Sequence, residues 1–125
     1  MSASFRIILI GSESLTIEVG RQMRARGYDL RAVVTHSSDV RDWAEGERLK
    51  VLGFDTGLAD ALEEVDWIFS VANLEILSSD VLARARNGAV NFHDGPLPQY
   101  AGLNAPVWAL LSGEKTHGIT WHLIE

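Results

Sequence analysis

The sequence contains no cysteine, which excludes disulfides, thiolate catalysis and cysteine-based zinc sites. It also lacks any run of about 18 apolar residues, so it predicts no membrane-spanning helix. The short apolar run from Phe5 to Ile10 is not followed by a small-residue cleavage site, so no signal peptide is predicted either. These absences are compatible with a cytoplasmic protein, which is the localisation that we expect.

Positive charge is scarce as well, because 11 lysines and arginines stand against 17 aspartates and glutamates, a net charge of −6. An acidic chain is a poor non-specific binder of nucleic acids and anionic membranes, so neither is expected as a partner. The candidates for a local basic patch are Arg21, Arg24, Arg26 and Arg31, for which a solvated face is the simpler interpretation. The 125 residues suffice for one domain with a buried core.

Apolar segments rich in β-branched residues alternate along the chain with segments of helical character. The first strand is predicted from Phe5 to Ile10, and the helix after it begins at a Ser12 or Ser14 cap, continues to about Arg26 and ends at Gly27. Further strands are predicted over 30–34, 51–52, 66–71, 89–92 and 118–124, and further helices over 40–49, 57–65, 78–86 and 105–111. This alternation predicts an α/β fold, a Rossmann-like open, mostly parallel sheet with helices on both faces.

The loop after the first strand, from Gly11 to Ser14, does not match a dinucleotide-binding fingerprint. That fingerprint needs further glycines to bring the backbone close to a pyrophosphate, and Glu13 would repel one. A plain turn between strand and helix is the better interpretation. A nicotinamide cofactor is therefore not expected.

The loop after the strand 89–92 has a different character. Asn91 and His93 alternate with Phe92, so in an extended chain they point to the same side. Pro96 and Pro98 restrict the loop that comes next. A histidine can transfer protons near neutral pH and an asparagine can donate to a developing oxyanion, which suits acyl transfer or hydrolysis. A structural pair that satisfies loop backbone groups is the alternative.

These residues carry a family resemblance. Asn91-Phe92-His93 with Pro98 and Gly102 resembles the motif N-x-H-x-S-x-L-P-x-x-x-G of the folate-dependent formyltransferases, and Gly118-Ile119-Thr120 resembles their G-[VI]-T strand. The resemblance covers essentially the whole chain and implies the N-terminal catalytic domain of that family. The amino-acid sequence at residues 94–98 and 103–106 is most similar to that of the formylation domains at the start of nonribosomal peptide synthetases. Related members act on methionyl-tRNA, glycinamide ribonucleotide and amino sugars.

The resemblance implies a site and its substrates. Asn91 and His93 are expected to be catalytic, and Glu75, Ile76 and Leu77 to contact the folate. The formyl donor would be 10-formyltetrahydrofolate, and no metal is expected. The expected acceptor is first an aminoacyl group on a carrier protein, then a nucleotide-linked amino sugar, then methionyl-tRNA. A formyltetrahydrofolate hydrolase and a non-catalytic folate-binding module are the alternatives.

One family residue is not found in the chain. The family's aspartate that supports the histidine would fall about four residues after Glu125, so we expect a domain truncated at its C-terminal end and inactive, or nearly so, alone. The edge of the last strand could then pair with another copy, which predicts self-association of the fragment. His122, on that strand, could point into the site, but a sheet-edge or core histidine is the simpler interpretation. His36 and His117 have no predicted role.

Overall fold

The computed structural model describes residues 5–71, 77–92 and 121–124. Their elements, in chain order, are β1 (Arg6–Gly11), α1 (Ser14–Ala25), β2 (Asp29–Val34), α2 (Ser38–Gly46), β3 (Val51–Leu52), α3 (Leu58–Ala61), β4 (Val65–Val71), α4 (Ser79–Leu82), β5 (Ala85–Phe92) and β6 (Trp121–Ile124). The strands form one sheet in the order β3-β2-β1-β4-β5-β6. Strands β1 to β5 pair in parallel, and β6 pairs antiparallel with β5. The predicted open, mostly parallel sheet is confirmed.

Helices cover both faces of this sheet, as predicted. On one face, Val19 and Met23 of α1 and Val40 of α2 pack in a cluster with alternate residues of the central strands. On the other face, Leu58 of α3 and Val81 of α4 pack in a second cluster. We call these the α1–α2 face and the α3–α4 face. None of the helices in the described ranges is long and apolar enough to cross a membrane.

Strand β1 lies at the centre of the sheet and has no solvent-facing side. Ile7 to Ile10 are each 0% exposed, since Ile7 and Leu9 belong to one cluster and Ile8 and Ile10 to the other. A continuous apolar run is what a strand covered on both faces requires. Burial of each such side chain stabilises the fold by about 1.5–3 kcal/mol.

The beginning of helix α1 differs from the prediction. The N-cap residue is Glu13, which makes no side-chain capping hydrogen bond. The Ser12 Oγ instead accepts a hydrogen bond from the His36 backbone N–H at 2.9 Å. The hydroxyl that was predicted to cap the helix therefore ties together the loops after β1 and β2. The predicted end is confirmed, because Gly27 takes a φ of 87° after the last turn.

Two predicted helices are shorter in the structure. The helix predicted over 57–65 is α3, which ends at Ala61, and Val65 already begins β4. The helix predicted over 78–86 is α4, which ends at Leu82. Strand β5 begins at Ala85, because Val65 pairs with Ala85 in the sheet. Asn87-Gly88 is a pair of residues typical of turns, but pairing between strands that are distant in the sequence overrides this local preference.

Gly88 adopts an irregular backbone conformation inside β5, and the strand continues through it. It takes a φ of 136°, and the β4–β5 register shifts between Val65 and Trp67, which is paired with Gly88. An irregular register with a glycine at a positive φ is typical of a bulge. The predicted strand 66–71 corresponds to β4, and of the predicted strand 118–124 residues 121–124 are described as β6. The helix predicted over 105–111 lies outside the described residues.

Candidate functional site

The carboxyl ends of the parallel strands meet along one edge of the sheet. Gly11 at the end of β1 pairs with Val71 at the end of β4, and Val71 pairs with Phe92 at the end of β5. Ser12 and Thr35 come directly after β1 and β2, and the Thr35 Oγ1 lies 3.4 Å from the Ser12 Oγ. In open α/β sheets, ligands bind outside these carboxyl ends. We call this the carboxyl edge.

Asn91 lies on β5 at the carboxyl edge. It pairs in register with Ser70 of β4 on one side and with His122 of β6 on the other. Ala89, two residues earlier, belongs to the cluster of the α3–α4 face. Since alternate residues of a strand share a face, Asn91 lies on the α3–α4 face as well.

The carboxamide oxygen of Asn91 is unusual among the buried polar atoms of the described residues. Its Oδ1 is buried and has no hydrogen-bond partner among the described residues. Buried polar atoms are nearly always hydrogen-bonded, and each exception needs an explanation. An N–H or O–H group of a ligand is a donor that would satisfy this oxygen.

The other residues predicted for the site fall partly outside the described ranges. His93, Glu75 and Ile76 lie outside them, so their predicted roles stay predictions. Leu77 is described and packs against the apolar cluster of the α3–α4 face. The structure thus places Asn91 and Leu77 on the same face of the sheet.

A cavity of about 350 Å³ lies beside Leu77, between the beginnings of α3 and α4. We call it the α3–α4 groove; its lining residues are Phe54, Asp55, Thr56, Leu58, Ala59, Leu77, Ser78, Asp80 and Val81. Leu58 and Val81 are buried and form an apolar floor, whereas Asp55 and Asp80 are exposed at the rim. No cationic residue is among these lining residues. The volume is within the range of small-molecule sites.

His36 supports one wall of the groove. Its ring stacks on that of Phe54, with centroids 4.3 Å apart and an interplanar angle of 25°. His36 comes after β2 and Phe54 after β3, so the parallel pairing of these strands brings the rings together. No role was predicted for His36 from the sequence, because His36 and Phe54 are 18 positions apart and no local sequence pattern connects them.

The opposite, amino edge of the sheet carries a chain of charged side chains. Glu63 accepts from Arg6 at 3.4 Å and from Arg31 at 3.1 Å, and Arg31 also donates to Asp29 at 3.3 Å. The hydrogen bond to Glu63 is the main cause that raises the pKa of the Arg31 guanidinium, with the charges of Asp29 and Glu63 as further causes. These arginines are paired in the protein and do not form a basic site. Within the described ranges, no group of His, Asp and Glu residues is arranged to hold a metal ion.

The fold and the site define a class of protein. In an open α/β sheet, a buried amide oxygen without a partner among the described residues and a groove at the carboxyl edge indicate that ligands bind at the strand ends. The sequence matches the family model described as "Formyl transferase" over residues 6–125. The chain therefore belongs to the formyl transferase family.

Individual relatives agree with this assignment. The chain is 30% identical over 107 residues to a GDP-perosamine N-formyltransferase of Brucella melitensis, which covers 78% of this chain and 41% of the relative. It is 44% identical over 57 residues, 46% of this chain and 9% of the relative, to the bifunctional polymyxin resistance protein ArnA of Wigglesworthia glossinidia brevipalpis. The chain thus spans less than half the length of these curated relatives.

Solved structures agree on the fold. A phosphoribosylglycinamide formyltransferase from Brucella melitensis superposes with a TM-score of 0.59 at 21% identity, over 90% of this chain and 69% of that chain. A phosphoribosylglycinamide formyltransferase from Coxiella burnetii superposes with a TM-score of 0.60 at 20% identity, over 98% of this chain and 66% of that chain. At these identities the likeness concerns the fold alone.

Proposed function

We propose that the protein transfers a formyl group from 10-formyltetrahydrofolate to an amine, with Asn91 at the reacting centre. The observation that carries this proposal is the buried Oδ1 of Asn91 at the carboxyl edge, which has no hydrogen-bond partner in the part of the chain that the structure describes. Membership of the formyl transferase family names the group that is transferred. The 125 residues would be the N-terminal catalytic domain of such an enzyme.

In this reaction, the nitrogen and the oxygen of the Asn91 carboxamide would each have a role. The amine nitrogen attacks the formyl carbon, the carbonyl π electrons move to oxygen, and a tetrahedral intermediate forms. The Nδ2 would donate a hydrogen bond to the oxyanion, and the Oδ1 would accept one from the attacking amine. Collapse breaks the bond between the formyl carbon and folate N10, N10 receives a proton, and the amine loses one. His93, two residues after Asn91, is proposed to be protonated and to stabilise the same oxyanion.

The acceptor that we propose is a nucleotide-linked amino sugar. The relative that matches 78% of this chain is named for GDP-perosamine, which supports this class. An aminoacyl group on a carrier protein is the second candidate, and the amino-acid sequence at residues 94–98 and 103–106 favours it. Neither acceptor requires a basic surface as large as a tRNA does, which is consistent with the net charge of −6.

The test is a panel of acceptors offered to the protein. The donor is 10-formyltetrahydrofolate, and the acceptors are nucleotide-linked amino sugars, a carrier-bound aminoacyl group, methionyl-tRNA and buffer alone. We expect tetrahydrofolate to be released together with a formylated amine, identified by mass spectrometry, only when an amine is present. Formate release in buffer alone would select a hydrolase, and folate binding without turnover would select a binding module.

A further inference from the structure

We infer that the α3–α4 groove makes the protein selective for a formyl donor with a short, weakly charged tail, and that Asp55 and Asp80 determine this selectivity. The inference rests on the proposed function, because it concerns the folate donor of that reaction. It starts from the composition of the groove, which has apolar and aromatic walls and an anionic rim. The donor has matching apolar parts and a tail of carboxylates.

The groove lies on the same face of the sheet as Asn91, where we propose that the formyl group of the donor lies. Leu58, Leu77 and Val81 line the groove and pack in the same apolar cluster as Ala89 of β5, two residues before Asn91. The groove and the carboxamide therefore lie on one face of the sheet. We place the ring and the tail of the donor, which extend from N10, toward Leu77 and the groove.

The interior of the groove suits a planar aromatic group. Its floor is apolar, since Leu58 and Val81 are 7% and 4% exposed. Phe54 forms a wall, and the stacked ring of His36 fixes its orientation. The p-aminobenzoyl ring, which is bonded directly to N10 of the donor, is a planar group of the kind that such walls bind.

The rim of the groove repels the carboxylates that are attached beyond that ring. In folates the p-aminobenzoyl group continues into glutamate, and each further γ-linked glutamate adds a carboxylate. Asp55 and Asp80 add negative charge at the rim, and none of the described lining residues is a lysine or arginine. Arg84, one turn after Asp80, lies outside the groove lining; its Nε donates to the Ala59 carbonyl at 2.9 Å, and its guanidinium lies 3.9 Å from the Asp60 carboxylate. Like charges at about 8 Å in a water-like medium weaken binding by roughly twofold each.

The inference is tested with equilibrium binding of tetrahydrofolate that carries either one or five glutamates. The readout is the ratio of the two dissociation constants for the protein. We expect the pentaglutamyl form to bind about threefold to fivefold more weakly than the monoglutamyl form at low salt. In the Asp55→Asn/Asp80→Asn variant, this ratio should fall to about one. High salt should produce the same loss of preference in the wild type, because screening shortens the range of the repulsion.

Asp42→Asn is the matched control. Asp42 is exposed on α2, which packs on the α1–α2 face, so the variant changes the net charge without changing the groove. Its ratio should equal that of the wild type. A ratio that stays at the wild-type value in the double variant overturns the inference and leaves the proposed function intact. Donor binding with the expected ratios but without formyl transfer overturns the proposed function instead, and no binding of either folate overturns both.

Discussion

The two edges of the parallel sheet differ in how their polar groups are satisfied. At the amino edge, Arg6, Arg31 and Glu63 pair with one another across the beginnings of β1, β2 and β4. At the carboxyl edge, the Asn91 Oδ1 and the Thr16 Oγ1 are buried without a hydrogen-bond partner among the described residues. Trp67 Nε1, on β4, is also buried without a partner among the described residues.

The difference distinguishes side chains that are paired within the protein from polar atoms that could bind a ligand. The paired side chains of the amino edge are each about 40% exposed, so their contribution to stability is small and screened by solvent. An unpartnered buried oxygen lowers stability by about 1–3 kcal/mol. Proteins break such local rules mostly at functional sites. The comparison therefore predicts that substitution of the buried polar atoms without a described partner at the carboxyl edge changes activity or raises stability, and that removal of an ion pair at the amino edge has little effect.

The largest effect is expected for Asn91→Ala. Loss of a donor to the oxyanion typically lowers the rate about 100- to 1000-fold, so kcat/KM for formyl transfer should fall by that factor. The thermal midpoint should change little, since the Asn91 Oδ1 has no hydrogen-bond partner among the described residues. Asn87→Ala is the control, because Asn87 is exposed on the same strand and should retain activity within about twofold. Equal losses in both variants would place the effect in the strand and not in the carboxamide.

The next largest effect is expected for Gly11→Ala. A Cβ at Gly11 would overlap the Thr16 hydroxyl and would lie 2.8 Å from the Val71 carbonyl oxygen. Because backbone atoms must move to relieve this contact, unfolding by denaturant should show a loss of about 1–3 kcal/mol. Gly46→Ala is the control, since nothing lies within 4 Å of a Cβ there. It should be neutral or slightly stabilising, because alanine is the better helix former. Equal stability of the two variants would show that the carboxyl edge is loosely packed.

The features that could be predicted from the sequence are those that depend on neighbouring residues. Gly27 ends α1 because a residue at a φ of 87° comes after the last turn, and this requirement is local. The continuous apolar run of β1 likewise predicts a central strand. The beginning of β5 could not be predicted, because Ala85 is held in the strand by its pairing with Val65, 20 residues away.

The same division applies to the candidate site. The position of Asn91 at a strand end results from the alternation of elements and was predicted. The groove was not, because Phe54, Asp55 and Asp80 belong to segments that only the α3–α4 packing brings together. The pairing of His36 with Phe54 was missed for the same reason.

A smaller effect, with opposite signs at two sites, is expected for buried threonines. Thr16 and Thr35 are 0% and 1% exposed, but the Thr35 Oγ1 accepts from the Ser37 N–H at 3.0 Å whereas the Thr16 Oγ1 has no described partner. Thr16→Val should raise the free energy of unfolding by about 1 kcal/mol, and Thr35→Val should lower it by about as much. Denaturant unfolding measures both. Destabilisation by both variants would mean that the Thr16 hydroxyl is satisfied in solution, and the contrast between the edges would then rest on Asn91 alone.

The smallest effect is expected for Glu63→Gln at the amino edge. The variant removes the negative partner of both Arg6 and Arg31, yet exposed pairs contribute only about 0–1 kcal/mol. Unfolding at low salt should show a loss below about 1 kcal/mol, and this loss should vanish in about 1 M salt, where the screening length is about 3 Å. Glu45→Gln is the control, because Glu45 is exposed on α2 and forms no ion pair with a described residue. A loss larger than that of Gly11→Ala, persisting in high salt, would mean that the amino edge stabilises the sheet, and the division of roles between the two edges would be wrong.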